Sequence, residues 1–219
     1  MDKARIYVHY SHAGADHRHR KHMDELTISE SKYANRRVLL MVRDPRDTAI
    51  SGFFQAKNRL SCFDGDIAKF IRDPHHGIEK IIRFNLMWAN ASNKVGALSL
   101  VHYEDLHSNT AGELARSAKF LTGKTLSRKA IDQAIEFGRF DNMRALETSK
   151  EGVKLYGNAL APANLDDPNS FKTRRGEVGG WHEHFSADDI EYAESLFTQY
   201  DYFKLIKEAG DKLRVHFSQ

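Results

Sequence analysis

An α/β fold of three layers, α/β/α with a parallel sheet in the middle, is predicted by three observations in this sequence. Val38 to Val42 and Ala97 to Val101 are short, continuous apolar runs, the pattern of strands covered on both faces. Each run leads directly into polar residues suited to a helix start. The segments between and after them carry apolar residues at helical spacing, so strands alternate with helices, and in such sheets ligands bind beyond the carboxyl ends of the strands.

Taken in order, Arg5 to Tyr10 reads as a first strand, with Ile6 and Val8 alternating against polar neighbours until Ser11-His12-Ala13-Gly14 breaks the pattern. Asp16 to Lys32 is polar and basic and reads as surface loop and helix. After the strand Val38 to Val42, Asp44 suits an N-cap, Pro45 the first helical position, and Asp47 the acidic first turn of a helix running through Phe53, Phe54 and Leu60. Gly65 to Ser92 has helical spacing interrupted by Asp73-Pro74, which predicts two helices. Ala97 to Val101 is a third strand. Thr110 to Leu121 then reads as a helix closing at Gly123, and Ser127 to Phe137 as another. From Glu151 to Gly180 periodicity fades while Gly, Pro, Asn and Asp accumulate, the composition of a long functional loop. Ser186, with Asp189 three residues on, caps a final amphipathic helix through Phe197. No repeat or linker divides the chain, so residues 1–219 read as a single domain.

Composition narrows the function. A net charge of +3 is too mild for a nucleic-acid binder but allows a locally basic pocket. Cys62 is the only cysteine, so no internal disulfide forms and a reducing compartment is favoured. With no apolar run long enough to span a bilayer and no conventional signal peptide, the expectation is a soluble, cytoplasmic protein. His17, His19 and His22, and the pair His182 and His184, complete no recognisable metal set and read as surface histidines.

The junction Arg43 to Ser51 carries the most chemistry. Arg43 ends a strand and Ser51 lies two turns into the following helix, so a guanidinium fork and a hydroxyl can converge on one anion. A charged α/β turn with its own ion pairs fits these residues equally well.

Four separated blocks in order give that junction a context. They are Arg43-Asp-Pro-Arg-Asp through Ser51, Tyr103-Glu-Asp-Leu106, Phe140-Asp-Asn-Met143, and Arg174-Arg175-Gly176 followed by Gly179-Gly180-Trp181. Together they resemble the sulfotransferases that use 3′-phosphoadenosine 5′-phosphosulfate (PAPS) as donor and release 3′-phosphoadenosine 5′-phosphate (PAP). The resemblance covers roughly residues 5 to 200 and implies a P-loop-like sulfotransferase fold without a metal. It implies that Arg43 and Ser51 hold the 3′-phosphate, that Arg174, Arg175 and Gly176 close on it with Arg175 in place of the usual Lys, and that Tyr103, Phe140 and Met143 lie near the adenine. It also implies a histidine that takes the acceptor's proton. His12 matches best by position, with His9 as competitor, and Tyr10 stands where a Lys is common.

One family feature has no counterpart: the N-terminal strand and Lys-Ser-Gly-Thr-Thr type loop that cradles the 5′-phosphosulfate. Gly123-Lys124-Thr125 follows a helix and reads as a C-cap, and the absence of a Walker A sequence disfavours a nucleotide kinase. The expectation is therefore an N-terminally incomplete sulfotransferase domain acting on a hydroxyl or amine of a small-molecule or carbohydrate acceptor. The alternative is a nucleotide-binding or interaction domain of the same fold with little catalysis. A homo-oligomer is left open.

Overall fold

The structure is a computed structural model and describes residues 7–13 and 15–215. A short helix α1 (Glu30–Tyr33) leads to β1 (Arg37–Val42), which pairs in parallel with β2 (Ala97–His102) in the register Arg37 to Ala97 through Val42 to His102. The helices between the strands are α2 (Pro45–Phe54), α3 (Ile67–Arg72) and α4 (Ile78–Ala89). After β2 come α5 (Tyr103–Ser108), α6 (Thr110–Thr122), α7 (Arg128–Phe137), α8 (Phe140–Thr148) and α9 (Lys150–Tyr156). Helices α10 (Ala187–Gln199) and α11 (Tyr202–Val215) complete the order. Among the described residues no helix is long and apolar enough to cross a membrane.

The alternation of β2 side chains shows how the layers form. Ser99 faces α6, whose Arg116 donates to the Ser99 Oγ and to the Leu100 carbonyl, both at 2.9 Å. Leu100 and His102 point the other way, toward Gly210 of α11. Helices thus cover both faces, and Leu98, Ser99, Leu100 and Val101 are all buried. Trp88, Ile82 and Ile78 of α4 carry the core toward α11, where the Asn85 amide donates to the Tyr202 hydroxyl at 2.8 Å. Burial pushes that tyrosine's ionisation upward.

Three expectations need correction. The strand expected over Arg5–Tyr10 is irregular over residues 7–10, with Tyr7 and Tyr10 84% and 89% exposed; Arg5 and Ile6 lie outside the described residues. Among the described residues it pairs with no strand, and β-propensity without a partner does not make a strand. The sheet of the described residues has two strands. The expected loop from Glu151 begins as α9, capped by Ser149, and α10 is followed by the additional helix α11.

Helix α2 starts as its sequence dictates, with the Asp44 carboxylate accepting the Arg46 N–H at 2.8 Å and Pro45 at the first position. Its end is less ordinary. The helix widens into a π turn over Gln55–Arg59, and the turn's side chains reach the segment after α9, Arg59 to the carbonyls of Ala159 and Ala161 and Asn58 to Asp167.

Candidate anion site at the strand ends

Because β1 and β2 run parallel in register, their carboxyl ends deliver Arg43 and Tyr103 side by side. The Arg43 guanidinium lies 4.4 Å from the centre of the Tyr103 ring. The two following helix starts are tied together as well, since the Asp44 N–H donates to Glu104 at 2.9 Å.

A cleft of about 270 Å³ opens above this junction. Arg43, Ser51, Tyr103, Arg174, Arg175 and Gly176 all line it, although the chain separates the first group from the last by more than a hundred residues. Phe140 stands just outside: a Cβ built on Gly176 would come within 3.0 Å of its ring, and Gly176 has φ +69°, so both conformation and space require glycine there. Met143 is half-buried on α8 and does not line the cleft. His12 is exposed in the irregular segment before α1 and is also absent from the lining; His9 is exposed.

What closes the cleft is a carboxylate whose role was not legible. Asp47 is 3% exposed, and its two oxygens accept the N–H groups of Gly179 at 2.7 Å and Trp181 at 3.0 Å. It also faces the Arg43 guanidinium at 3.4 Å. Arg43 itself donates to the Glu177 carbonyl at 2.5 Å. The late loop is therefore stitched to the first turn of α2. Arg46 adds to the seam by stacking 4.0 Å from the Trp181 ring centre while pairing with Asp44 and Glu194. Spacing held one hint for Asp47, which shares a helix face with Ile50 and Phe54 and so was due to be buried.

A second buried carboxylate sets the other end of the loop. Glu147 of α8 is 2% exposed and accepts the N–H groups of Lys172 and Thr173 at 2.8 and 2.5 Å. Beside it Arg144 donates to the Thr173 carbonyl and stacks on Phe171. Glu147→Ala leaves two amide donors unsatisfied and is expected to destabilise by roughly 2–4 kcal/mol, read from urea unfolding; Glu147→Gln, which keeps one acceptor, should lose less.

The electrostatics favour an anion in the cleft. Arg43, Lys172, Arg174 and Arg175 line it against the carboxylates Asp47 and Glu177. Asp47 is already committed to backbone donors, and Arg175 pairs with Glu183 outside the lining. The Arg43 Nε is buried without a hydrogen-bond partner. Arg174 lies over the Phe54 ring at 4.2 Å, and burial, followed by repulsion from Arg175 and Arg43, holds it below the usual guanidinium range. Burial, followed by repulsion from Arg174 and Arg175, also lowers the His184 imidazole, whose ring meets Phe54 edge-on at 5.5 Å. Among the described residues no group of three or more His, Cys, Asp or Glu could hold a metal.

Comparisons with known proteins point the same way. The family described as Sulfotransferase domain matches residues 8–209. Rat Sulfotransferase 2A1 is 22% identical over 189 residues, covering 81% of this chain and 61% of its own length. Cytosolic sulfotransferase 12 of Arabidopsis thaliana is 25% identical over 185 residues, covering 78% and 52%. The structure resembles mouse sulfotransferase SULT7A1 complexed with PAP, with a TM-score of 0.60 at 20% identity over 81% of this chain and 63% of that one. It also resembles retinol dehydratase in complex with androsterone and inactive cofactor PAP, with a TM-score of 0.55 at 21% identity over 74% and 46%. The chain thus spans about half to three-fifths of the length of these relatives. With a match running through nearly all of its described residues and helices on both sides of a parallel sheet, the chain belongs to the sulfotransferase domain family.

Proposed function

We propose that residues 1–219 act as one sulfotransferase domain that transfers a sulfuryl group from PAPS to a hydroxyl or amine of a small acceptor. Arg43, Ser51, Arg174, Arg175 and Gly176 surround the nucleotide's 3′-phosphate, and Tyr103, Phe140 and Met143 face its adenine. The observation that carries this reading is the meeting of Arg43 and Ser51 with Arg174–Gly176 in one cationic cleft at the carboxyl ends of parallel strands. That two solved proteins of similar fold hold PAP adds support. In the transfer the acceptor oxygen or nitrogen bonds to sulfur as the bond from sulfur to the phosphate oxygen breaks, PAP leaves, and the acceptor's proton passes to His12 as general base. An imidazole suits that task because its pKa lies near neutral pH.

A second reading, nucleotide binding with little catalysis, is favoured by the position of His12 away from the cleft lining. Thermal unfolding with PAP tests the shared part. At one hundred times the dissociation constant the ligand should add about 2.7 kcal/mol of stability. No shift at millimolar PAP removes both readings. Where PAP binds, a sulfuryl-transfer assay on His12→Ala separates them: an enzyme loses turnover by ~10²–10⁴-fold, and a binder has none to lose.

A further inference from the structure

We infer that His17 and His76, with His22 and His75 beside them, form an acid-released clasp that docks residues 15–25 onto the turn preceding α4. The inference is independent of the proposed chemistry.

The contact is specific. His17 Nδ1 and His76 Nδ1 lie 3.0 Å apart, so one ring donates an N–H and the other offers a lone pair; the pair holds a single proton between these atoms. A second proton sets two N–H groups face to face and breaks the bond. The rings' immediate packing is apolar and gives such a cation no acceptor. His76 is 2% exposed, stacks on Phe70 with ring centres 5.5 Å apart at 9°, meets the Phe63 edge, and its Nε2 has no partner. His17 also packs on Phe70, and its Nε2 rests where a Cβ on Gly52 would stand 2.9 Å away. The same segment is tied down nearby by the His22 ring edge on His75 and by the Met23 N–H donating to the Pro74 carbonyl at 3.0 Å.

The groups facing the pair have mixed signs. Asp16 faces His17 and Asp73 faces His76, while His12, Lys80, Arg20 and His75 oppose protonation. Lys80 is itself 4% exposed, bonds only the His75 carbonyl with its ammonium, and is faced by Asp16, Asp73, Glu25 and Lys21. Neither His17, His76 nor Lys80 makes an ion pair among the described residues. Burial is the leading influence on all three and lowers each, His17 to about 4. A histidine held below its free value of ~6.5 stabilises the docked state fully above that pH and loses the contribution as pH falls toward the folded value. The clasp therefore loosens between pH 6.5 and 4. Its release uncovers Gly52, next to Ser51 in the cleft wall, and frees the segment that carries His12.

Hydrogen exchange of the full chain at pH 7.5 and 5.0, each normalised to the intrinsic amide rate, tests this. Protection of residues 15–25 should fall at least about 30-fold at pH 5.0, the linkage of one proton moving from ~6.5 to about 4, while β1 stays protected. His17→Asn, whose amide oxygen accepts from His76 whether or not that ring is charged, should keep its protection at pH 5.0. Equal protection of the wild-type segment at both pH values overturns the inference. So does loss of β1 protection together with it, or a His17→Asn chain that opens as the wild type does. Should His17→Asn lack protection at pH 7.5, ring-nitrogen NMR of the wild type decides: one protonated and one bare Nδ1 in the pair supports the clasp, and two rings titrating freely near 6.5 overturn it.

Discussion

Asp47→Ala is expected to detach the late loop from α2, lowering stability by about 3–5 kcal/mol and nucleotide affinity with it. Both oxygens of this carboxylate are spent on backbone N–H groups of Gly179 and Trp181, and its charge stands 3.4 Å from the Arg43 guanidinium. Truncation leaves two amide donors without their acceptor and the Arg43 guanidinium without its facing charge, and such losses are costly around a carboxylate only 3% exposed. Trp181 is then free to leave the core, where it is 6% exposed and stacked by Arg46. Asp47→Asn should fall between, because one amide oxygen can serve one donor while its NH₂ opposes the other. Urea unfolding measures the first effect and calorimetric titration with PAP the second. A loss below 1 kcal/mol for Asp47→Ala would mean that the loop is held by its other ties, Arg43 to Glu177, Glu147 to Lys172 and Thr173, and Trp181 packing.

How much of this was legible in the sequence depends on whether a residue's partner is near or far along the chain. Local rules gave β1, the cap at Asp44, the break between α3 and α4 at Asp73-Pro74, and the end of α6 at Gly123, which has the left-handed φ of +72°. Caps, breakers and short apolar runs act over a few residues. Tertiary contacts decided the rest. Helix α9 contains Gly152, a poor helix residue, yet that glycine sits so close to the Leu146 carbonyl that a Cβ would overlap it, and this crossing of α8 and α9 is what the helix requires. Gly210 also disguised α11, although a Cβ there would meet Leu100 and His102 only at ordinary contact distances of 3.9 and 3.6 Å. The strand expected over Arg5–Tyr10 is irregular over its described residues 7–10 for the opposite reason, a local alternation that no tertiary pairing supports there. In the cleft, the strand-to-helix junction singled out Arg43 and Ser51, and the family resemblance set them with Arg174, Arg175 and Gly176, residues the fold brings to one lining. Asp47 and Glu147 were not, because their partners are backbone N–H groups, which carry no sequence signature.

Arg43→Ala should reduce PAP affinity by about 10²–10³-fold, the loss of a guanidinium fork making charge-assisted bonds to a phosphate. Arg43 is placed for this by four neighbours: the Glu177 carbonyl, Asp47, the Tyr103 ring, and β1, which carries it. Its side chain is 23% exposed and lines the cleft, so the guanidinium is within a ligand's reach. Arg43→Lys retains the charge without the planar fork and should recover only part of the affinity. Arg175 is exposed and already paired with Glu183, so Arg175→Ala should lose less than Arg43→Ala. The decisive contrast is with Asp47. Removing Arg43 leaves the Asp47 carboxylate bonded to both loop amides, so the fold should hold while binding fails, whereas removing Asp47 should harm both. Unchanged PAP affinity in a folded Arg43→Ala chain would take the phosphate away from this cleft, since no other cation lining it stands at a strand end.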